Sequence, residues 1–425
     1  MSQTAQVVIS CHCGAEKQVV ALRMPDSQGA GPADIDLCHC ATCRHSSGLL
    51  CVSYAPVHEP KSLAGLAVYP DSPSTAQTQR YFCNTCGCHV FRRSADRAWA
   101  VATGVIVGRA GGDGEVADSL DEEKVEGNRL LTYARHVNTA GTRDGGLSPF
   151  IGHANGSHRM EVFEHWPTST SSAAEEIKAI REGGKGDGED VLNAHCHCGT
   201  IRFHITRPDA SSRLPRSNFP DLTNAYVSTP QEIIANPHNE KWWLQPQGAP
   251  NPTKYLAGTC ACRSCRVTAG FEIQTWAFVP RSNIFFHPPS PAPASSSSSS
   301  STTTTANPED KVVPLDFTTL HSEGIPLKSY ESSPGVVRES CPRCGATVFW
   351  HDRWRPELID VSVGLLDAAE GARAGNWLEW WCERVSFEED AGNGRVGEVA
   401  SLAKGLIRSL EDGLRSWGKG RGKES

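Results

Sequence analysis

Two distant stretches of the chain space their cysteines in the same way, and that spacing limits what either can fold around. The first runs Cys11-His12-Cys13-Gly14, then Cys38-His39-Cys40-Ala41-Thr42-Cys43-Arg44, then Cys83-Asn84-Thr85-Cys86-Gly87. The second runs Cys196-His197-Cys198-Gly199, then Cys260-Ala261-Cys262-Arg263-Ser264-Cys265-Arg266, then Cys341-Pro342-Arg343-Cys344-Gly345. Both read C-x-C-G, C-x-C-x-x-C-R, C-x-x-C-G. A glycine follows the middle motif in each (Gly48, Gly270), and Val-Phe follows the last (Val90-Phe91, Val348-Phe349). Seven cysteines recurring in one order is the signature of a duplicated module.

The setting decides what these thiols do. Residues 1–10 have neither the charged nor the apolar segment of a secretory signal, so the expected compartment is the cytosol, with the nucleus open. There, 17 cysteines in 425 residues read as metal ligands or reactive thiols rather than disulfides. A net charge of −7 offers no general attraction to nucleic acid or anionic membranes, and no stretch approaches the roughly 20 apolar residues of a membrane span. Membrane and nucleic-acid partners are therefore not expected.

Zinc asks for four donors in a tetrahedron with Zn–S near ~2.3 Å, which brings thiolates to within roughly 3.8 Å of one another. A C-x-C pair achieves this from one face of an extended segment, since residues i and i+2 point the same way. A C-x-x-C-G turn achieves it because glycine lets the chain fold back. Joining the two motifs gives closed four-cysteine sites from Cys11, Cys13, Cys83 and Cys86, and from Cys196, Cys198, Cys341 and Cys344. Such closed sites are structural. The middle motif supplies three thiolates, Cys38, Cys40 and Cys43 or Cys260, Cys262 and Cys265, with no local fourth. Three protein ligands and an open position suit a catalytic zinc. The alternative is closure by a distant residue: Cys51 or Cys88 in the first half, Cys382 in the second. His12, His39 and His197 lie between ligand cysteines and are expected to point away from the metal.

The expected organisation is a first module over 5–166, a linker over 167–190, a second module over 191–388 and a tail over 389–425. The linker is rich in Ser, Ala, Glu and Gly. The second module carries an insertion over 207–255, with Trp242 and Trp243, and a Pro/Ser/Thr tract over 288–310 too polar to order itself. Short β-branched or aromatic runs at 160–163, 201–205, 275–279 and 378–381 read as strands, so the fold is expected to be mainly antiparallel β. Leucines 402, 406, 410 and 414 predict an amphipathic helix over 399–417, docked on the second module.

With these residues in hand, the chain resembles the family of glutathione-dependent formaldehyde-activating enzymes and centromere protein V-like proteins. The resemblance is carried by Cys196-His197-Cys198-Gly199-Thr200-Ile201-Arg202-Phe203, by the middle motif at 38–44, and by Tyr81-Phe82-Cys83-Asn84-Thr85-Cys86-Gly87. It covers about 5–166 and 191–388. It implies a β-tent fold in each module, with one structural and one catalytic zinc, four per chain. It also implies carbon–sulfur lyase chemistry between a small thiol such as glutathione and an aldehyde. Arg44 and Arg266, beside the last triplet cysteine, are then candidates to hold an anionic substrate.

Some positions depart from the family's pattern. His45 and Val267 stand where a basic residue often follows the arginine, and Cys88 and Ala346 where Thr or Ser often follows C-x-x-C-G. Ala261 replaces the histidine seen at His39. These changes lie beside the open sites, so the two modules need not share a substrate. A non-catalytic zinc scaffold is the alternative function.

Overall fold

A computed structural model describes residues 5–24, 32–72, 77–112, 114–117, 129–154, 158–166, 190–288 and 312–421. The expected linker, save Asp190, and the Pro/Ser/Thr tract, save Pro288, lie outside the described residues.

The protein is mainly β, with antiparallel sheets predominating. In the first half, eight strands form one sheet whose centre is Ala33–Cys38, Val52–Val57, Trp99–Ala102, His89–Arg93 and Gln79–Cys83, each beside the next. The second half repeats this centre with Lys254–Cys260, Gln274–Pro280, Leu358–Ser362, Thr347–Asp352 and Val336–Ser340. A parallel strand flanks each cysteine-bearing strand, Leu131–Val137 in one half and Leu378–Trp380 in the other. The residues explain the pairing. Ala33–Cys38 alternates buried and less buried positions, with Ile35 and Leu37 facing inward, as a sheet with one covered face requires. Gln274–Pro280 is buried along its whole length, and after Gln274 and Thr275 it reads as an apolar and aromatic run. The strands expected at 201–205, 275–279 and 378–381 are present as Arg202–Thr206, Gln274–Pro280 and Leu378–Trp380, and 160–163 yields Glu161–Val162.

The middle motif opens a short helix in each half: α1 (Ala41–Ser47) and, after α2 (Gln231–Ile234), α3 (Arg263–Ala269). Cys40 and Cys262 occupy the N-cap, where each sulfur accepts the free backbone N–H of Cys43 or Cys265. Gly48 and Gly270 end these helices in the left-handed region, φ +83° and +79°.

Those glycines also join the halves. Gly364 N–H donates to the Gly48 carbonyl (3.1 Å), and Gly104 N–H donates to the Gly270 carbonyl (2.9 Å). A Cβ at Gly48 would stand 2.2 Å from the Thr347 carbonyl oxygen, and one at Gly270 would stand 2.5 Å from that of His89. The two contacts mirror each other, as across a two-fold dimer interface, although one chain supplies both sides.

The C-terminal helix α4 (Gly397–Arg421) is longer than expected and docks chiefly on the first half, not the second. Val399, Ala403, Leu406, Ile407, Leu410 and Leu414 are its buried stripe. Glu398 accepts from Leu130 N–H and pairs with Arg109 (3.4 Å), while Trp417 packs on Phe150. These partners lie in the first half, which is why the helix reaches back across the molecule. No helix among the described residues is long and apolar enough to cross a membrane.

Candidate metal centres

The sulfurs of Cys11, Cys13, Cys83 and Cys86 converge from two remote segments, as do those of Cys196, Cys198, Cys341 and Cys344. Separations of 3.5 Å (Cys11–Cys13), 3.6 Å (Cys13–Cys83), 3.9 Å (Cys11–Cys83) and 3.5 Å (Cys198–Cys341) match the edge of a tetrahedron about a thiolate-bound ion, roughly 3.8 Å. Backbone N–H groups support the sulfurs in the same places. Glu16 donates to Cys11 Sγ and Ile201 to Cys196 Sγ, each at 3.3 Å. All 17 cysteines are unpaired, so the clusters are not disulfides. The donor set, separations and N–H···S contacts fit zinc. The crowded thiols perturb one another: Cys83 and Cys198 fall far below the usual thiol range as their cluster neighbours hydrogen-bond to them.

The middle motifs also gather. Cys38, Cys40 and Cys43 form one group, and Cys260, Cys262 and Cys265 another. Among the described residues no fourth Cys, His, Asp or Glu joins either group; Cys51, Cys88 and Cys382 stand outside them. Both groups touch an arginine the sequence reading passed over. Arg80 Nη2 lies 3.5 Å from Cys43 Sγ, and Arg338 Nη2 lies 3.3 Å from Cys265 Sγ. Both guanidiniums are buried. Hydrogen bonds from the neighbouring triplet cysteines pull Cys43 and Cys265 well below the usual thiol range, and Arg80 and Arg338 pull the same way. A signal was present in the sequence: an arginine lies three residues before C-x-x-C in both halves, Arg80 before Cys83 and Arg338 before Cys341.

Arg44 and Arg266, expected beside an anionic substrate, are themselves buried. Arg266 Nη1 donates to the Gly104 carbonyl (2.7 Å), and its Nη2 reaches the Asn393 carbonyl, so it ties α3 to the first half. Arg44 lies in the field of Asp367 and Asp144, with Nε and Nη1 lacking a hydrogen-bond partner. The three intervening histidines also stand outside the sulfur clusters. His39 Nε2 meets His136 Nδ1 (2.9 Å). His12 Nδ1 meets the Tyr330 hydroxyl (2.8 Å) and His197 Nδ1 the Tyr69 hydroxyl (2.6 Å), each histidine from one half and its tyrosine from the other.

A fifth cluster joins His45, His195 and Asp367, whose carboxylate lies 3.5 Å from one ring and 3.3 Å from the other. A metal lies in the plane of each ligating imidazole at about 2.0–2.1 Å. These rings are stacked, with centroids 4.2 Å apart and planes 14° apart, so one ion cannot lie in both planes. The cluster is a carboxylate-capped histidine pair that fastens the halves together.

A cavity of about 500 Å³ opens over Cys260, Cys262 and Cys265. Part of its wall comes from the 207–255 insertion, including Asp221, Tyr226 and Trp242.

Residues 6–116 match the family model described as glutathione-dependent formaldehyde-activating enzyme. No curated protein and no solved structure matches the chain.

Proposed function

Residues 6–116 belong to the glutathione-dependent formaldehyde-activating enzyme family, and on that premise we propose that the chain is a zinc-dependent carbon–sulfur lyase acting on the adduct of a thiol with an aldehyde. In this reading residues 191–388 are a second copy of the module. Each copy holds one zinc on its four-cysteine cluster and another on its triplet. The observation that supports this most directly is the contrast between the two kinds of cluster. The four-cysteine groups are complete, whereas each triplet has three sulfurs and, among the described residues, no fourth Cys, His, Asp or Glu.

Zinc on a triplet supplies a cation that favours a thiolate over a thiol and leaves a coordination position open. The chain's own residues do the rest. Arg80 and Arg338 offset the charge of three clustered thiolates by donating to the last sulfur. The N-cap position of Cys40 and Cys262 fixes the direction of a second sulfur. In the synthetic direction the thiol loses its proton and its sulfur attacks the carbonyl carbon. The C=O π pair moves to oxygen, which takes up a proton and leaves a hydroxyalkyl thioether; cleavage runs the same steps backwards. Arg44 and Arg266 enter this reading as groups that position α1 and α3, their guanidiniums being buried at the junction of the halves.

NMR exchange between formaldehyde, glutathione and their adduct tests the reading on the zinc-loaded full chain. Acceleration is expected, with Cys262→Ala abolishing most of it while near-UV circular dichroism is retained. A protein that accelerates no thiol–aldehyde pair would instead be a non-catalytic zinc scaffold.

A further inference from the structure

The two halves are each other's control, because strand registers match them residue by residue. Cys260 pairs with Gln274, as Cys38 pairs with Val52, and Trp276 pairs with Ser362, as Tyr54 pairs with Ala102. Trp276 therefore corresponds to Tyr54, Phe278 to Pro56, Trp350 to Arg92, Asp360 to Ala100 and Thr259 to Leu37. All five second-half residues line the cavity over the triplet. In the first half the guanidinium of Arg92 lies on the Tyr54 ring; in the second, two indoles line the cavity, and Arg355 lies over that of Trp350, 4.7 Å from its centroid. Trp242 adds a third indole, packed edge-on to Phe278 at 4.9 Å, and Trp354, 61% exposed, stands at the mouth.

The polar groups of this cavity narrow the ligand further. Each charged side chain that lines it already has a partner. Arg338 donates to Cys265, Asp221 pairs with Arg384 (3.2 Å), and Arg355 pairs with Asp360 (2.8 Å) and Asp352 (3.6 Å). Asp390 accepts from the Arg263 N–H. Four carboxylates, those of Asp221, Asp352, Asp360 and Asp390, line the cavity with two guanidiniums, those of Arg338 and Arg355, so the wall disfavours an anionic ligand. Nη1 of Arg355 lacks a hydrogen-bond partner, whereas the unpartnered hydroxyl of Thr259 lies on the face of its strand opposite Cys260 and Trp276. A buried donor left unsatisfied carries a desolvation cost that an acceptor oxygen on a ligand would relieve. Aromatic walls, an excess of carboxylates and one unpartnered donor describe an aromatic ring that bears an oxygen and no negative charge.

We propose that the second half's cavity selects a neutral aromatic aldehyde, or the aryl group of its thiol adduct, seated between Trp276 and Trp350 above Cys260, Cys262 and Cys265. This deepens the proposed lyase reading and rests on it for the chemistry, but the aryl site itself can be tested without turnover.

The probe is 4-fluorobenzyl alcohol, which is neutral, oxygen-bearing and unreactive, with 2-fluoroethanol as the small control; both are followed by fluorine NMR on the zinc-loaded full chain. The aryl probe should bind saturably and at least about ten-fold more tightly than the control, as burial of a ring predicts. Trp350→Arg, which installs the first half's residue, should remove that preference with zinc content unchanged. Trp276→Tyr is the milder substitution should Trp350→Arg fold poorly, and it should weaken aryl binding several-fold. Absence of saturable aryl binding, or binding indifferent to both substitutions, overturns the inference. Glutathione–formaldehyde exchange measured on the same samples separates the two claims. Turnover without aryl binding sinks the aromatic site and leaves the lyase, whereas aryl binding lost in Trp350→Arg, without turnover of any adduct, upholds the site and sinks the lyase.

Discussion

At the scale of single residues, the sulfur atoms were legible and their supports were not. The spacing of Cys11, Cys13, Cys83 and Cys86 is a geometric statement about a tetrahedron, so the sequence alone named the cluster the fold assembles. Arg80 and Arg338 act through space instead. Nothing local ties an arginine on one strand to a sulfur on a helix 37 or 73 positions away, and only its recurrence at the same offset in both copies marks it. Arg44 and Arg266 adjoin a cysteine in sequence, which makes them candidates, yet Arg266 directs its donors to backbone carbonyls. Arg338→Gln should therefore keep the full zinc complement while slowing adduct exchange roughly ten- to a hundredfold, the usual cost of losing a group that supports a ligand. Arg80→Gln reports in the same assay whether the first copy works at all. Unchanged exchange in Arg338→Gln would remove the arginine from the chemistry.

At the scale of elements, the strands followed from their composition, whereas the docking of the helices depended on partners far along the chain. The leucine spacing predicted an amphipathic α4, but helical periodicity carries no information about which surface will receive the stripe. Glu398 and Trp417 settle that by meeting Leu130, Arg109 and Phe150. A pH effect belongs to this helix. Burial, reinforced by Glu388, raises the Glu411 carboxyl to about 7, while its oxygen accepts from Val385 N–H. Between the ordinary value near 4.5 and about 7, the folded chain holds a proton that the unfolded chain has released, so this residue lowers stability as pH rises through that window. Glu411→Gln keeps an acceptor for Val385 and removes the titration. Its melting temperature should exceed that of the parent at pH 8 and equal it near pH 4. The helix-ending glycines make a second prediction. Gly48→Ala or Gly270→Ala meets both a left-handed backbone and a carbonyl oxygen of the opposite half, and should cost about 2–4 kcal/mol by thermal or urea unfolding.

At the scale of the whole molecule, the recurrence of one cysteine order was plain, but the pairing of the two halves was not. The residues that join them are glycines, carbonyls and lone histidines, which carry no hydrophobic periodicity to read. Gly104, Gly270, Gly48 and Gly364 gain their meaning only when two backbones approach closely. The buried Arg395–Glu272 pair binds the segment before α4 to this junction, and Glu272 also accepts from Thr103 across it. Residues 5–166 expressed alone would lose these partners and the α4 surface over Ile106–Arg109. That fragment is expected to expose apolar surface and aggregate, and to become soluble on coexpression with residues 190–421; a well-dispersed NMR spectrum from the isolated fragment would contradict this.

The crossed tyrosine–histidine pairs carry one more consequence. His12 leaves the first half's four-sulfur knuckle to meet Tyr330, whose strand neighbour is Arg338, the guanidinium on the second half's triplet. His197 meets Tyr69 beside Arg80 in the mirror arrangement. Demetallating one knuckle thus slackens the tether on the opposite copy's triplet, and ion loss should propagate. Stripping the holoprotein with a chelator would then proceed in a steep, cooperative sweep. In a Tyr69→Phe, Tyr330→Phe double variant the same titration should flatten toward that of independent binding sites.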